Sequence, residues 1–260
     1  MKKKTRWPIY LIISLVVIFV AFTVPLPYYI EVPGTSEDIR KVLQVNDQPD
    51  QEEGSYQFVT VGVKHARLAH LIYAWLTPFT DIHSAKEMTG GSSDAEFMRI
   101  NQFYMQTSQN MAKYQGLKTA GKDIELNYLG VYVLTVTDNS TFKGILNIAD
   151  TVTAVNDKTF ESSKEMIDYV NSQNLGDKVK VTYEEDGQIK NAEGSIVTLE
   201  NGKNGIGIGL IDRTEVTSDV PIRFSTAGIG GPSAGLMFSL SIYTQIAEPT
   251  LRNGRHRISN

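Results

Sequence analysis

The stretch Tyr128-Leu129-Gly130-Val131-Tyr132-Val133, followed by Thr151-Val152-Thr153-Ala154-Val155-Asn156-Asp157 and then by Glu161 to Gln173, decides how this chain is read. β-branched and aromatic residues fill the first two runs, which predicts strands, and Asn156-Asp157 supplies a turn. Glu161 to Gln173 reads as a helix capped by Ser162 or Ser163, with Met166, Ile167 and Val170 turned inward. Val179-Lys180-Val181-Thr182-Tyr183 then runs into an Asp186-Gly187 hairpin turn. Short strands around one amphipathic helix predict an α+β fold with a β-rich segment over 116–200.

Outward from this segment the chain has room for more. Its 260 residues suffice for two ordinary domains and a substantial core. With 41% hydrophobic and 21% charged residues the composition is that of a globular chain, which excludes disorder throughout. There is no cysteine, which excludes a disulfide scaffold, an iron–sulfur site, a thiolate zinc site and a cysteine nucleophile. Net charge is −4, and Lys2, Lys3, Lys4 and Arg6 confine four positive charges to the amino end, so the body is more acidic still. An acidic body disfavours nucleic acid as a partner.

Residues 7–30 carry no formal charge, and Ile9 to Val24 is almost continuously apolar. That length and the basic residues on its amino side predict a transmembrane anchor over 7–28, a cytoplasmic tail over 1–6 and an exterior bulk. A cleaved signal peptide is disfavoured because Phe22-Thr23-Val24-Pro25 offers no small-residue cleavage site, and a buried soluble helix is disfavoured by the charge-free length. Residues 29–115 read as an exterior α+β region. It holds strands over 28–64, a helix over 65–76 ended by Pro78, and a helix after Gly90-Gly91-Ser92-Ser93 capped by Asp94. Phe97, Ile100, Tyr104 and Met111 fall on one face of that second helix and are expected to pack as a stripe.

The segment around Gly130 resembles a PDZ domain of the bacterial protease-associated kind. Tyr128, Leu129, Gly130 and Val131 match the family's carboxylate-binding x-Φ-Gly-Φ loop. Gly144-Ile145-Leu146 through Ala149-Asp150 stands where the family has Gly-Asp, and Val155-Asn156-Asp157 where it has Val-Asn-Gly. The resemblance implies a ligand peptide added as a strand beside Val131-Tyr132-Val133, its terminal carboxylate held by the loop amides.

Near the end stands Thr226-Ala227-Gly228-Ile229-Gly230-Gly231-Pro232-Ser233-Ala234-Gly235. A serine delivered by a tight glycine loop to a helix N-terminus can sit beside an oxyanion site. Gly-Pro-Ser-Ala-Gly is also the nucleophile motif of Lon-type serine proteases. With the anchor and the PDZ-like segment, the whole order resembles the membrane-anchored PDZ-domain-containing Lon-like proteases of Gram-positive bacteria. By that resemblance residues 201–260 form the first part of a proteolytic domain and Ser233 is the nucleophile. The family's general base is a lysine downstream of the serine, but the last lysine here is Lys203. The sequence given stops at His256-Arg257-Ile258-Ser259-Asn260, so either the copy is truncated or His256 substitutes as base.

Ser140-Thr141-Phe142-Lys143 satisfies the penicillin-binding Ser-x-x-Lys pattern but lacks its companion Lys-Thr-Gly. Gly230 to Gly235 continues into Leu236-Met237 rather than a Walker Lys and Ser or Thr, so no nucleotide site is expected. His65 and His70 do not share a metal-binding helix face, and Glu184-Glu185-Asp186 reads as a solvated hairpin tip. The expectation is thus an impaired, cofactor-free and metal-free serine endopeptidase, single-pass in the cell membrane, acting on an exported peptide or protein bound through its C-terminus. Its alternative is a non-catalytic PDZ protein that captures peptides.

Overall fold

In a computed structural model the described residues are 7–247 and 257–259. The cytoplasmic tail expected over 1–6 and the substitute base His256 lie outside them. In chain order the first elements are α1 (Trp7–Thr23), β1 (Pro25–Asp38), β2 (Leu43–Val45), β3 (Tyr56–Arg67), α2 (Leu68–Leu76), β4 (Asp81–Ser84) and α3 (Ala85–Thr89). Next come α4 (Asp94–Thr119), β5 (Ile124–Val136), β6 (Thr151–Val155), α5 (Ser163–Asn171), β7 (Lys178–Glu185) and β8 (Gln188–Ser195). The last are β9 (Val197–Thr198), β10 (Asn204–Gly205), β11 (Ile208–Ser218), β12 (Ile222–Phe224), α6 (Gly235–Ala247) and β13 (Arg257–Ser259). The chain divides into two compact units, Met1–Ser36 with Val59–Ser93, and Glu37–Phe58 with Asp94–Asn260.

In the first unit β1 pairs antiparallel with β4, from Tyr28 opposite Ser84 to Glu31 opposite Asp81, and lies beside β3. Tyr29 stacks on His65 with ring centroids 4.4 Å apart. The strand β3 runs on to Arg67, so the helix expected from 65 begins only at Leu68. Ser84 and Glu87 form a capping box on α3, which Gly90 closes in the left-handed conformation.

The transmembrane anchor expected over 7–28 is corrected here, and with it the single-pass topology. Among the described residues no helix is long and apolar enough to cross a membrane. The helix α1 has 17 residues, about 25 Å at 1.5 Å per residue, against a hydrocarbon core of about 30 Å. Its end has a local cause. Pro25 and Pro27 push Val24 and Leu26 toward extended backbone, and from Pro25 the apolar run continues as strand β1.

The second unit holds two cores. One lies under a five-stranded sheet of order β11-β5-β6-β7-β8, all neighbours antiparallel. Val131, Val133, Phe142, Val152, Val155, Met166, Val170, Val179, Val181 and Ile196 fill it, with α5 as its helical wall. The other core joins α4 and α6 to the β2–β12 pair. It contains Phe58, Met105, Ala112, Leu117, Phe238 and Ile242, and Phe238 meets Phe58 and Phe224 edge-on at 5.9 and 4.9 Å. Within α4 the buried residues are Met105, Ala112, Gly116 and Leu117, whereas Met111 is exposed. The stripe expected through Met111 is therefore displaced. Gly116 sets the packed face, because a Cβ there would stand 2.8 Å from Ile242.

The α+β class is realised, but no separate proteolytic domain is seen among the described residues of 201–260. Ile208–Ser218 is β11, paired along its length with β5, and α6 packs on α4. The fifth strand of the sheet thus comes from the region assigned by sequence to a different domain.

Candidate functional site

The two sides of β5 settle where a ligand strand could add. Val131 lies opposite Asp212 of β11 on one side and opposite Val152 of β6 on the other. Of the residues expected to form the carboxylate loop, Val131 is thus paired on both sides and Gly130 and Tyr128 are paired with Arg213 and Thr214 of β11, while Leu129 stands at a bulge between them. Gly130 has φ +129°, and a Cβ there would overlap the Val152 carbonyl, so this glycine serves the close approach of β6.

The open edge belongs to β11. Val133 points both backbone groups at the β6 side: its N–H donates to the Asp150 carbonyl at 2.8 Å, and its carbonyl accepts from the Ala149 N–H at 3.0 Å. Val133 also faces Leu210, so that pair is a non-hydrogen-bonded one and the N–H and C=O of Leu210 point away from β5. Backbone alternation gives Ile208, Asp212 and Thr214 the same outward direction. No other strand among the described residues pairs with this edge.

At the foot of β11 lies Gly205-Ile206-Gly207-Ile208, which satisfies the x-Φ-Gly-Φ pattern that sequence reading located at 128–131. The loop is fastened by its carbonyls. Ser140 Oγ donates to the Ile206 carbonyl at 2.6 Å, and the Thr137 N–H donates to the Gly207 carbonyl at 2.8 Å. Asn204 Nδ2 ties the loop to the end of α5 through the Gln173 carbonyl at 2.8 Å. Gly207 has φ +75°, and a Cβ there would stand 2.6 Å from Thr137 Oγ1, so only glycine fits. With the carbonyls engaged, the N–H groups of Ile206 and Gly207 make no hydrogen bond within the described residues. Such a pair of amides at the end of an open strand is an anion-binding arrangement.

Between β11 and α5 runs an apolar groove walled by Met166, Ile167 and Val170 on one side and Ile206, Ile208 and Leu210 on the other. The helix α5 is set by Ser162, whose side chain accepts from the Glu165 N–H at 3.2 Å. Farther along, Tyr128 faces Thr214, and the Tyr128 hydroxyl, Asp212 Oδ1 and Thr214 Oγ1 are buried without a hydrogen-bond partner in the protein. Burial, with the Asp212 and Glu165 carboxylates, pushes the Tyr128 hydroxyl well above the ordinary phenol range.

The helix α4 lies against the second half of β11. Thr107 Oγ1 donates to the Asp212 carbonyl at 3.3 Å, and Asn110 Nδ2 donates to the Thr214 carbonyl at 2.6 Å. Phe103 of the same helix stacks on Tyr132 of β5 at 4.0 Å. Arg213, over the Tyr132 ring, bonds Thr151 at 2.8 Å and Glu184 at 3.0 Å.

Among the described residues no base is hydrogen-bonded to Ser233. The serine is exposed in the turn before α6, and no hydrogen bond or ion pair reaches its hydroxyl among the described residues. The surrounding glycines answer to α4. The Gly231 N–H donates to the Asn101 carbonyl at 2.9 Å, and Ser108 Oγ donates to the Pro232 carbonyl at 3.0 Å. A Cβ at Gly230 or Gly235 would press on Asn101 or Ser108 at 2.7 and 2.5 Å. Gly230 and Gly235 stand where α4 passes closely over the loop, and the expected serine endopeptidase is not supported. Ser140, set aside as a chance pattern, has a structural task in fastening Ile206. Among the described residues no group of histidines and carboxylates could hold a metal ion.

Residues 104–196 match the family described as PDZ domain. No curated protein matches the chain. Similar solved structures include the PDZ domain of the SdrC-like protein from Listeria monocytogenes, 34% identical, covering 34% of this chain and 93% of that one, with a TM-score of 0.32. Another is the PDZ domain of the SdrC-like protein from Listeria innocua, 36% identical over 31% of this chain and 92% of that one, TM-score 0.30. A structure from Geobacillus thermodenitrificans is 28% identical, covering 31% and 94%, TM-score 0.28.

Proposed function

We propose that this chain, a member of the PDZ-domain family, is a peptide-binding protein that holds the C-terminus of a partner in the groove between β11 and α5. PDZ domains bind peptide C-termini of partner proteins. The functional unit in this reading runs from α4 through β11. The observation that carries it is the pair of unbonded amides at Ile206 and Gly207, standing at the foot of a strand whose outer edge is open at Leu210. A ligand carboxylate meets those amides, its upstream backbone pairs with Leu210, and its last side chain enters among Met166, Ile167, Val170 and Ile208. That lining selects an aliphatic or aromatic final residue, since a charged one would lose hydration without a partner.

The test compares one peptide with an aliphatic last residue as free acid and as carboxamide. The free acid should bind at least about tenfold more tightly, because hydrogen bonds from the amides to a charged acceptor are worth about 1.5–3 kcal/mol. Equal binding of acid and amide would remove the loop from recognition.

A further inference from the structure

We infer that a second ligand site lies on the face of the five-stranded sheet turned away from α5, and that it takes a small zwitterion of dipeptide size. Val131 and Val133 are buried in the core beneath α5, so alternation along β5 sends Tyr132 to the other face. There a cavity of about 300 Å³ opens between the first three turns of α4, the sheet and the β7–β8 hairpin tip. Its floor is assembled in advance. Arg213 donates to Thr151 Oγ1 at 2.8 Å and to Glu184 at 3.0 Å, and lies over the Tyr132 ring. Tyr132 is in turn stacked on Phe103 at 4.0 Å, and its hydroxyl donates to Gln106 Oε1 at 3.3 Å. These side chains hold one another, so a ligand does not have to order them.

The walls carry the open charges. Arg99 lines the cavity from α4 and Asp186 from the hairpin tip, and among the described residues neither side chain makes a hydrogen bond or ion pair. The other carboxylates near the tip are engaged: Glu184 with Arg213, Glu185 with Lys190 and Asn147, and Asp150 with the Asn147 N–H at 2.8 Å. With Arg213 and Glu184 neutralising each other on the floor, the cavity offers one free cation and one free anion. A simple anion would meet Asp186 as well as Arg99, and a simple cation would meet the reverse. A ligand bearing both charges satisfies both walls, its carboxylate on the Arg99 guanidinium and its ammonium on Asp186. Phe103 and Tyr132 give its side chain an aromatic wall, and a volume at the small end of ligand pockets suits a free dipeptide. The cavity shares no lining residue with the groove beside α5, so the site does not rest on the groove reading.

The experiment titrates the full chain with the dipeptide Phe-Gly, whose final glycine offers nothing to the apolar groove, and reads backbone amide shifts by NMR. Saturable shifts should appear at Phe103, Thr151 and Gly187. N-acetyl-Phe-Gly and Phe-Gly amide should each bind about threefold more weakly or worse, the loss of one partly exposed ion pair. Asp186→Asn keeps the turn, because Asn tolerates the φ of +49° there, and should bind the free and acetylated dipeptides alike. Arg99→Gln, an exposed change to another good helix former, should bind the acid and its amide alike. The absence of saturable shifts at these residues, shifts confined to 206–210, or undiminished discrimination in either variant would overturn the zwitterion site.

Discussion

At the scale of single residues, glycines and small polar side chains define what the groove can do. Gly207 is required by its positive φ and by Thr137, and Ser140 holds the Ile206 carbonyl so that the neighbouring amides face outward. Gly130 was legible as a special glycine, but its cause is contact with Val152, a residue brought near only by sheet formation. The pattern x-Φ-Gly-Φ recurs along the chain, at 60–63, 128–131, 205–208 and 207–210, and local sequence does not say which copy borders an open edge. Tyr128 allows a pH prediction. Its hydroxyl is raised in the folded protein by burial and by the Asp212 and Glu165 carboxylates, so the unfolded chain loses this proton first as pH rises. Stability linked to Tyr128 is therefore fully present below the ordinary phenol value of about 10 and falls above it. Tyr128→Phe should shrink that alkaline loss. At neutral pH it should cost little or stabilise, since it removes a buried hydroxyl that lacks a protein partner. Thermal melts of both proteins across neutral and alkaline pH decide the matter, and parallel pH profiles would contradict it.

Elements with strong local signals were legible. β6 occupies the expected 151–155, Ser162 caps α5 as its sequence indicates, and Asp186-Gly187 turns the β7–β8 hairpin with φ +49° and +78°. What escaped was set by partners distant in sequence. β11 joins the sheet after the β9–β10 pair, so no nearby pattern ties it to β5. The stripe assigned to α4 missed its packed face because Gly116, which carries no hydrophobic signal, is where α6 approaches most closely. Gly116→Leu should drive a side chain into Ile242 and lower stability by about 1–3 kcal/mol or more, the range for overpacking a filled core. A denaturant titration reads this directly, and an unchanged midpoint would show that the α4–α6 contact is not as close as described.

Over the whole molecule, the apolar start and the glycine-rich serine suggested an anchored protease, and the three-dimensional context reassigns both. Pro25 turns the apolar run into a strand before a membrane-spanning length is reached, and the glycines around Ser233 accommodate α4. What remains is a five-stranded sheet whose only unpaired edge beside α5 ends in two available amides among the described residues. The central claim is that a peptide C-terminus docks on this edge rather than along the interior strand β5. Amide chemical-shift mapping by NMR, with a free-acid peptide ending in an aliphatic residue, tests it most directly. The largest shifts should fall at Ile206, Gly207, Ile208 and Leu210, with smaller ones at Ile167 and Val170. Shifts centred on Leu129, Gly130 and Val131, with the 206–210 amides unmoved, would contradict it.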